Sequence, residues 1–236
     1  MKTKKVFLTE WAYVLGILIL AFGTALMERA DFGMSMVVAP AYLLHLKISQ
    51  FLPWFSFGMS EYVFQAVLLI VISVVMGRFH KGYLFSFVTA VFYGLMLDLC
   101  IAGVSVVPNH GIAIRIMLYI LGMIFCSIGV AMLFRTYISP EAYELLVKEI
   151  ARKYQKDISK VKTVYDCCSC LIGIILSFAF FGLWHFEGVK LGTIVCALIN
   201  GWMIGRASAA MEVMFCFRDG LPLRKYFESM ESAQSA

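Results

Sequence analysis

Residues 15–29 read LGILILAFGTALMER, and residues 121–135 read LGMIFCSIGVAMLFR. Aligned with a shift of 106 positions, both stretches begin with Leu-Gly, carry a second Gly seven residues later and end in Arg. The match continues downstream with small gaps in the pairs Glu61 and Asp166, Gly77 and Gly182, and Gly94 and Gly201. The chain therefore contains an internal duplication, a feature from which many secondary transporters are built.

The composition is that of a membrane protein. Hydrophobic residues make up 61% of the chain and charged residues 15%, whereas an ordinary soluble domain carries roughly 25% charge. A membrane-spanning helix needs about 20 apolar residues, and six segments meet this requirement: 11–28, 60–77, 83–106, 112–134, 161–184 and 189–206. Each must be helical, because lipid offers the backbone no hydrogen-bond partners. We predict an all-α polytopic membrane protein.

The distribution of Lys and Arg predicts the orientation of the six spans. With the N-terminus in the cytoplasm, sixteen of the 20 basic residues fall on the inside and four on the outside, which is a clear positive-inside pattern. We therefore expect a multi-pass protein of the cell (inner) membrane with both termini cytoplasmic. The net charge of +5 lies mostly in these connections, so it does not indicate a nucleic-acid partner.

Two further segments are predicted to be short amphipathic helices, one after the first span of each copy. Gly33–Ile48 is apolar enough to suggest a seventh span. Counting it as a span, however, would move the basic residues downstream of it to the opposite side of the membrane and reverse the positive-inside pattern. Its counterpart, Pro140–Lys153, contains three Glu and three basic residues and cannot cross a bilayer. Both are expected at the surface or wedged into the margin of the protein.

Three spans per copy is an odd number, so the second copy enters the membrane from the opposite side. We expect a first three-helix repeat at 1–106, a second, inverted repeat at 107–206 and a cytoplasmic tail at 207–236. The glycine pairs Gly16 and Gly23, and Gly122 and Gly129, each lie on one helix face. Small residues let membrane helices approach closely, so these glycines indicate either a pivot between the repeats or tight static packing.

Ionisable residues within the membrane are candidates for function, because charges there cost roughly 2.5–3.5 kcal/mol on insertion scales. Asp98, in the third span, could bind a cation or a coupling proton, or could pair with a base such as Arg115. Glu61, with Gln65 one turn later, matches Asp166, and the two carboxylates are expected near opposite membrane faces. They would act as gates or ion entry points, or would be stabilised by helix dipoles without a functional role.

The duplicated arginines and one amide complete the candidate residues. Arg29 and Arg135 could bind an anionic substrate, and Arg29 could instead form a gate by pairing with Glu61 or Asp31. The alternative without a functional role is that both side chains only extend to the membrane interface. Asn200, in the sixth span, would line a substrate site or join neighbouring helices.

Other classes of function find no support in the sequence. The motifs of P-loop, zinc-protease and serine-hydrolase enzymes are missing, so we predict no enzyme activity, no cofactor and no metal site. The seven cysteines are expected to pack as small apolar residues, including the group Cys167, Cys168 and Cys170. The expected partners are the lipid bilayer and a small-molecule solute, and a homodimer stays open.

One family resemblance adds to this interpretation. Gly23-Thr24-Ala25-Leu26, followed by Ala30-Asp31-Phe32-Gly33-Met34-Ser35 and then Pro40, resembles the opening pattern of the YczE/YyaS/YitT group of bacterial membrane proteins. The resemblance covers most of the chain and implies a multi-pass inner-membrane protein of an uncharacterised family. The C-terminal regulatory domain of some YitT-like members has no counterpart in the residues after Arg206.

Together these features predict a secondary transporter that moves a small polar or ionic solute by alternating access. The substrate-binding or coupling candidates are Asp98, Asn200, Gln65, Glu61, Asp166, Arg29 and Arg135. The alternative from another class is a non-transporting membrane scaffold or accessory protein for a partner complex.

Overall fold

The computed structural model describes residues 5–77, 79, 82–108, 111–182, 188–222 and 224 of the chain. Along the chain, the elements are β1 Lys5–Leu8, α1 Thr9–Ala30, α2 Ala39–Ile48, α3 Phe57–Met76, α4 Gly82–Val104, α5 Ile112–Leu133, α6 Ala142–Tyr154, α7 Ile158–Phe181, α8 Leu191–Met214 and β2 Phe215–Arg218. Within the described part, six helices are long and apolar enough to cross a membrane: α1, α3, α4, α5, α7 and α8. The prediction of an all-α polytopic membrane protein is confirmed.

The outer helices keep apolar surface that a soluble protein would bury. Ile70 on α3, Leu99 on α4 and Leu198 on α8 are all well exposed. Exposed apolar side chains are favourable in lipid, where water is absent, so these surfaces suit a bilayer.

Helices α1 and α5 form the centre of the molecule and cross in antiparallel orientation. Gly16 packs against the carbonyl of Gly129, and Gly23 packs against the carbonyl of Gly122. A Cβ atom on Gly23 would lie 2.7 Å from the Cys126 nitrogen and 2.8 Å from the Gly122 oxygen. Only glycine allows the two backbones to approach this closely.

The helices around α1 have the same arrangement as the helices around α5. Helix α4 packs on α1 and on α3, whereas α8 packs on α5 and on α7. The short helices α2 and α6 each contact both α3 and α7. Their first turns are buried, including Ala39 and Pro40 in α2 and Ala142 and Tyr143 in α6. Both short helices therefore enter the protein.

The two ends of the described chain meet in a short parallel sheet. Strand β1 pairs with β2 so that Lys5 lies opposite Phe215. Helix α8 continues to Met214, eight residues beyond the predicted end of the last span, so the predicted tail at 207–236 begins as helix and strand. Residues 223 and 225–236 of that tail lie outside the described residues.

Candidate functional site

A connected set of polar side chains lies around the first turn of α6. Its acidic members are Glu61 on α3, Glu141 and Glu144 at the start of α6, and Asp166 on α7, and all four are nearly or completely buried. The cationic member is Lys162 on α7, which is 1% exposed. We call these five residues the ion cluster.

One half of the ion cluster is arranged around Lys162. Helix α7 begins at Ile158, where the Asp157 side chain accepts hydrogen bonds from the first backbone N–H groups. Lys162 and Asp166 are one turn apart on the same helix face, with Lys162 Nζ 3.1 Å from Asp166 Oδ1. Glu144 Oε1 lies 3.4 Å from the same nitrogen. The lysine is therefore neutralised by two carboxylates.

The second half is arranged around Gln65. The amide Nε2 donates to Glu61 Oε2 at 3.2 Å and to Glu141 Oε2 at 3.1 Å. The amide oxygen accepts from the backbone N–H of Ala142, which is one of the unpaired donors at the start of a helix. Tyr143 completes the group, because its hydroxyl donates to Glu61 Oε2 at 2.9 Å.

Asn200 extends the network from α7 to α5. Its Nδ2 donates to Asp166 Oδ2 at 3.3 Å, and its Oδ1 accepts from Ser127 Oγ at the same distance. All of these groups are buried. One polar group therefore joins α3 to the start of α6, a second joins α6 to α7, α8 and α5, and the two groups meet at Glu141 and Glu144, one turn apart on α6.

The network encloses a small cavity of about 20 Å³. Its polar wall is formed by Thr24, Tyr93, Glu141, Glu144, Lys162 and Asn200. Val38 and Glu141, the residues that precede the first turns of α2 and α6, both line it. Because helix N-termini carry partial positive charge, the acids of α6 are placed where their charge is stabilised. The volume is about that of one water molecule, so the cavity has no room for a larger solute in this conformation.

Four carboxylate oxygens of the ion cluster accept no well-aligned hydrogen bond from any described residue. They are Glu61 Oε1, Glu141 Oε1, Glu144 Oε2 and Asp166 Oδ1, and of these Asp166 Oδ1 still forms its ion pair with Lys162. Burial, and then the charges of Glu144 and Glu61, raise the pKa of Glu141 well above its ordinary value. Buried polar atoms without partners are costly, so the cluster has unused capacity to bind a proton or another hydrogen-bond donor.

A much larger cleft of about 750 Å³ lies between α1, α5, α8 and the two strands. Its walls are mainly apolar, with Trp202, Met211 and Phe215 among them. Such a surface suits lipid chains, not a polar solute. The smaller cavity is therefore the candidate site, because its walls carry the buried polar side chains of Glu141, Glu144, Lys162 and Asn200.

The structure brings four of the predicted candidates together: Glu61, Gln65, Asp166 and Asn200. The expectation that Glu61 and Asp166 lie near opposite membrane faces is wrong, because Gln65 joins Glu61 to Glu141 and Lys162 joins Asp166 to Glu144, and these two acids lie one turn apart at the start of α6. The early start of α7 places Asp166 at its ninth residue, and α6 connects the two halves. Their functional roles stay predictions.

Asp98 lies outside the ion cluster. It accepts hydrogen bonds from Ser56 Oγ at 2.7 Å and from the Gly58 N–H at 2.9 Å, so it fixes the start of α3 against α4. The predicted pairing of Asp98 with Arg115 is wrong, because Arg115 forms its ion pair with Asp31.

The two arginines also lie away from the cavity. Arg29 donates from Nε to the carbonyl of Val107, and the ion pairs of Asp31 are made by Arg115 and Lys190. Arg135 forms a 2.7 Å ion pair with Glu212 on α8. The contacts of both arginines are thus structural in this conformation.

Glu141, Glu144 and Lys162 were missed as candidates by the sequence analysis. Glu141 and Glu144 counted only as evidence that their segment does not cross the membrane, and Lys162 counted as a basic residue of a connection. One signal was available: Lys162 lies inside the predicted span 161–184 with Asp166 four residues later, the spacing of a helical ion pair.

A model described as a family of unknown function, DUF6198, matches residues 7–209. The match covers most of the chain and extends from β1 into α8, so the protein belongs to this family. No curated protein matches the chain, and no solved structure matches it.

Proposed function

We propose that the protein is a secondary transporter that moves a small polar or ionic solute by alternating access. The observation that carries this proposal is the ion cluster, of which Glu141, Glu144 and Lys162 line a water-sized cavity where two short helices begin. Discontinuous or short helices whose N-termini meet inside the membrane form the substrate sites of several transporter folds.

The energetic cost of the ion cluster favours a functional role over a purely structural one. Removing an ion from water costs several kcal/mol even after relaxation, and four carboxyl groups are buried here against one lysine. A scaffold needs only helix packing, which the glycine crossing of α1 and α5 already supplies. Ionisable residues inside membrane proteins commonly mark ion or substrate pathways.

We further propose that the two halves are inverted repeats. The duplication equates Gly16 with Gly122 and Gly23 with Gly129, and the observed contacts join Gly16 to Gly129 and Gly23 to Gly122. Such reciprocal contacts are what a two-fold axis requires. The matching helix pairs around α1 and α5 support the same relation. The relation to the YczE/YyaS/YitT group, in the bacterial inner membrane, is part of this proposal.

Contacts between the halves would close the site on both sides. On one side, Asp31 of the first half bonds Arg115 and Lys190 of the second. On the other, Glu10 accepts from the Tyr137 hydroxyl and from the backbone of Gly220. Alternating access would break one set at a time while α1 and α5 pivot at their glycines.

Transport by reconstituted protein tests the proposal. Proteoliposomes would be screened with a panel of labelled polar metabolites, with and without a pH or sodium gradient. We expect uptake above empty vesicles, loss of uptake in Glu61→Gln, and normal uptake in Glu149→Gln, which changes a partly exposed carboxyl of α6. Uptake that is absent across the panel, or insensitive to Glu61→Gln, would contradict it.

The scaffold alternative predicts the reverse sensitivity. Changes at the exposed residues Arg152 and Lys153 of α6 would then impair function in cells, and Glu61→Gln would be silent if the protein folds. Reporter tags test the inverted repeats separately: a tag after α4 and a tag after β2 should face opposite compartments.

A further inference from the structure

The ion cluster contains two pairs of carboxyl groups, and only one pair has a cation. Lys162 lies between Glu144 and Asp166, with its nitrogen 3.4 and 3.1 Å from their oxygens. Between Glu61 and Glu141, the corresponding place is taken by the Gln65 amide, at 3.2 and 3.1 Å. An amide supplies hydrogens but no positive charge. The Glu61–Glu141 pair is therefore left with uncompensated negative charge.

Two carboxylates that share one bonding partner in a dry site cannot both be ionised at low cost. Burial and the surrounding acids already raise the pKa of Glu141 well above its ordinary value. The charged and titratable groups that face Glu141 come from six helices: Tyr13 on α1, Glu61 on α3, Tyr93 on α4, Cys126 on α5, Tyr143 and Glu144 on α6, and Lys162 on α7. The single lysine among them is already held by two other acids.

The pair also has free acceptor atoms. Oε1 of Glu61 and Oε1 of Glu141 accept no hydrogen bond from the described residues, and both side chains are at most 1% exposed. Glu141 borders the cavity. The vacant positions therefore suit a ligand that brings positive charge and N–H donors together.

We propose that the Glu61–Glu141 pair is an exchange site at which one proton and one small organic cation, a protonated primary amine, bind alternately. This proposal names a substrate class for the proposed transporter. Binding at the pair does not depend on transport, and only the movement of the amine across the membrane rests on the proposed function. A ligand with N–H donors is favoured because Glu61 Oε1 and Glu141 Oε1 are acceptor atoms without a hydrogen-bond donor among the described residues.

The exchange balances in charge. In the proposed exchange, the pair without amine holds one proton, so its net charge is −1. When the amine enters as a monovalent cation, the proton leaves to solvent, both carboxyls are ionised, and the occupied pair again has a net charge of −1. The closed cavity has room for about one water-sized group, so the ammonium group of a short amine is the part that fits.

Calorimetric titration of the purified wild-type protein with methylammonium tests the exchange without any variant. Titrations in two buffers of different ionisation enthalpy give the number of protons released. We expect about one proton per amine bound, and an apparent Kd that rises about tenfold for each unit of decrease in pH below neutral, because proton and amine compete. Binding without proton release, or no binding, would overturn the proposal.

Three comparisons sharpen the test. Sodium chloride and tetramethylammonium, which lack N–H donors, should release no proton, and equal release by either would overturn the assignment of an amine. Glu141→Gln should abolish proton release, whereas Glu149→Gln should keep it. Infrared difference spectra of the wild type should show loss of a protonated carboxyl band on amine binding. This measurement needs no variant, so it tests the proposal even if Glu141→Gln fails to fold. Proton release without any uptake in proteoliposomes would reject transport and retain the exchange site.

Discussion

Replacing Lys162 by Met should destabilise the protein more than any other single change in the ion cluster. The methionine side chain keeps much of the volume but removes the positive charge between Glu144 and Asp166. Both carboxylates are almost fully buried, so neither can turn to water. The variant therefore leaves two buried acids without their common counterion.

The size of the effect follows from the distances. At 3.1 and 3.4 Å, each attraction is about 5 kcal/mol at an effective dielectric constant of ~20. Much of this is offset by the cost of removing the ions from water, and truncating one member of a buried pair typically costs about 3–5 kcal/mol. The loss of unfolding free energy should be smaller at acid pH, because Glu144 and Asp166 then take up protons and lose their uncompensated charge.

Reversible unfolding in mixed micelles, followed by circular dichroism, measures the free energy of unfolding. Adding Asp166→Asn to Lys162→Met should restore part of the loss, because the second change removes one uncompensated charge. A loss below about 1 kcal/mol, which is typical of an exposed pair, would refute the reasoning. The reasoning would also be refuted if the double variant lost as much unfolding free energy as the two single variants lose together.

Three smaller changes test other contacts. Gly23→Ala should cost about 1–3 kcal/mol of unfolding free energy because its Cβ would meet the backbone of α5, whereas Gly103→Ala, with open space around it, should be neutral or stabilising by up to about 1 kcal/mol. Asp98→Asn should cost about 1–2 kcal/mol through the weakened start of α3 and leave transport unchanged in proteoliposomes. Burial and the hydrogen bond to Glu10 raise the pKa of Tyr137 to about 12, so the stability difference between wild type and Tyr137→Phe should be constant at neutral pH and disappear as the pH rises from 10 to 12.

The spans could be predicted from the sequence because they depend on local composition. A run of about 20 apolar residues has only one stable form in lipid, and all six such segments are helices. The end of α8 could not be predicted in the same way. In residues 207–214 the apolar side chains are interrupted by Ser208 and Glu212, and the segment stays helical in contact with Arg135, which bonds both of these residues.

Half of the candidate site was predictable and half was not. Glu61 and Asp166 stood out because the duplication pairs them and because acids are rare in spans. Glu141 and Glu144 lie in a polar segment whose charges looked solvated, and only the packing of α6 against α3 and α7 buries them. Asp98 shows the reverse case: the sequence predicts either a coupling residue or a partner of a basic side chain, and the structure shows the carboxylate accepting from the first turn of a neighbouring helix.

Under the proposed repeat relation, the two halves of the protein differ where the ion cluster lies. The alignment that equates Ala41-Tyr42 with Ala142-Tyr143 places Pro40 at the position of Glu141 and Leu43 at that of Glu144. Similarly, the pairing of Glu61 with Asp166 places Phe57 at the position of Lys162. The second half thus contributes two acids and a base where the first contributes apolar residues. A symmetric cluster would bury more charge at a cost of several kcal/mol per ion. The asymmetric one leaves a single uncompensated pair, Glu61 with Glu141, which is the pair at which we propose that one cation binds.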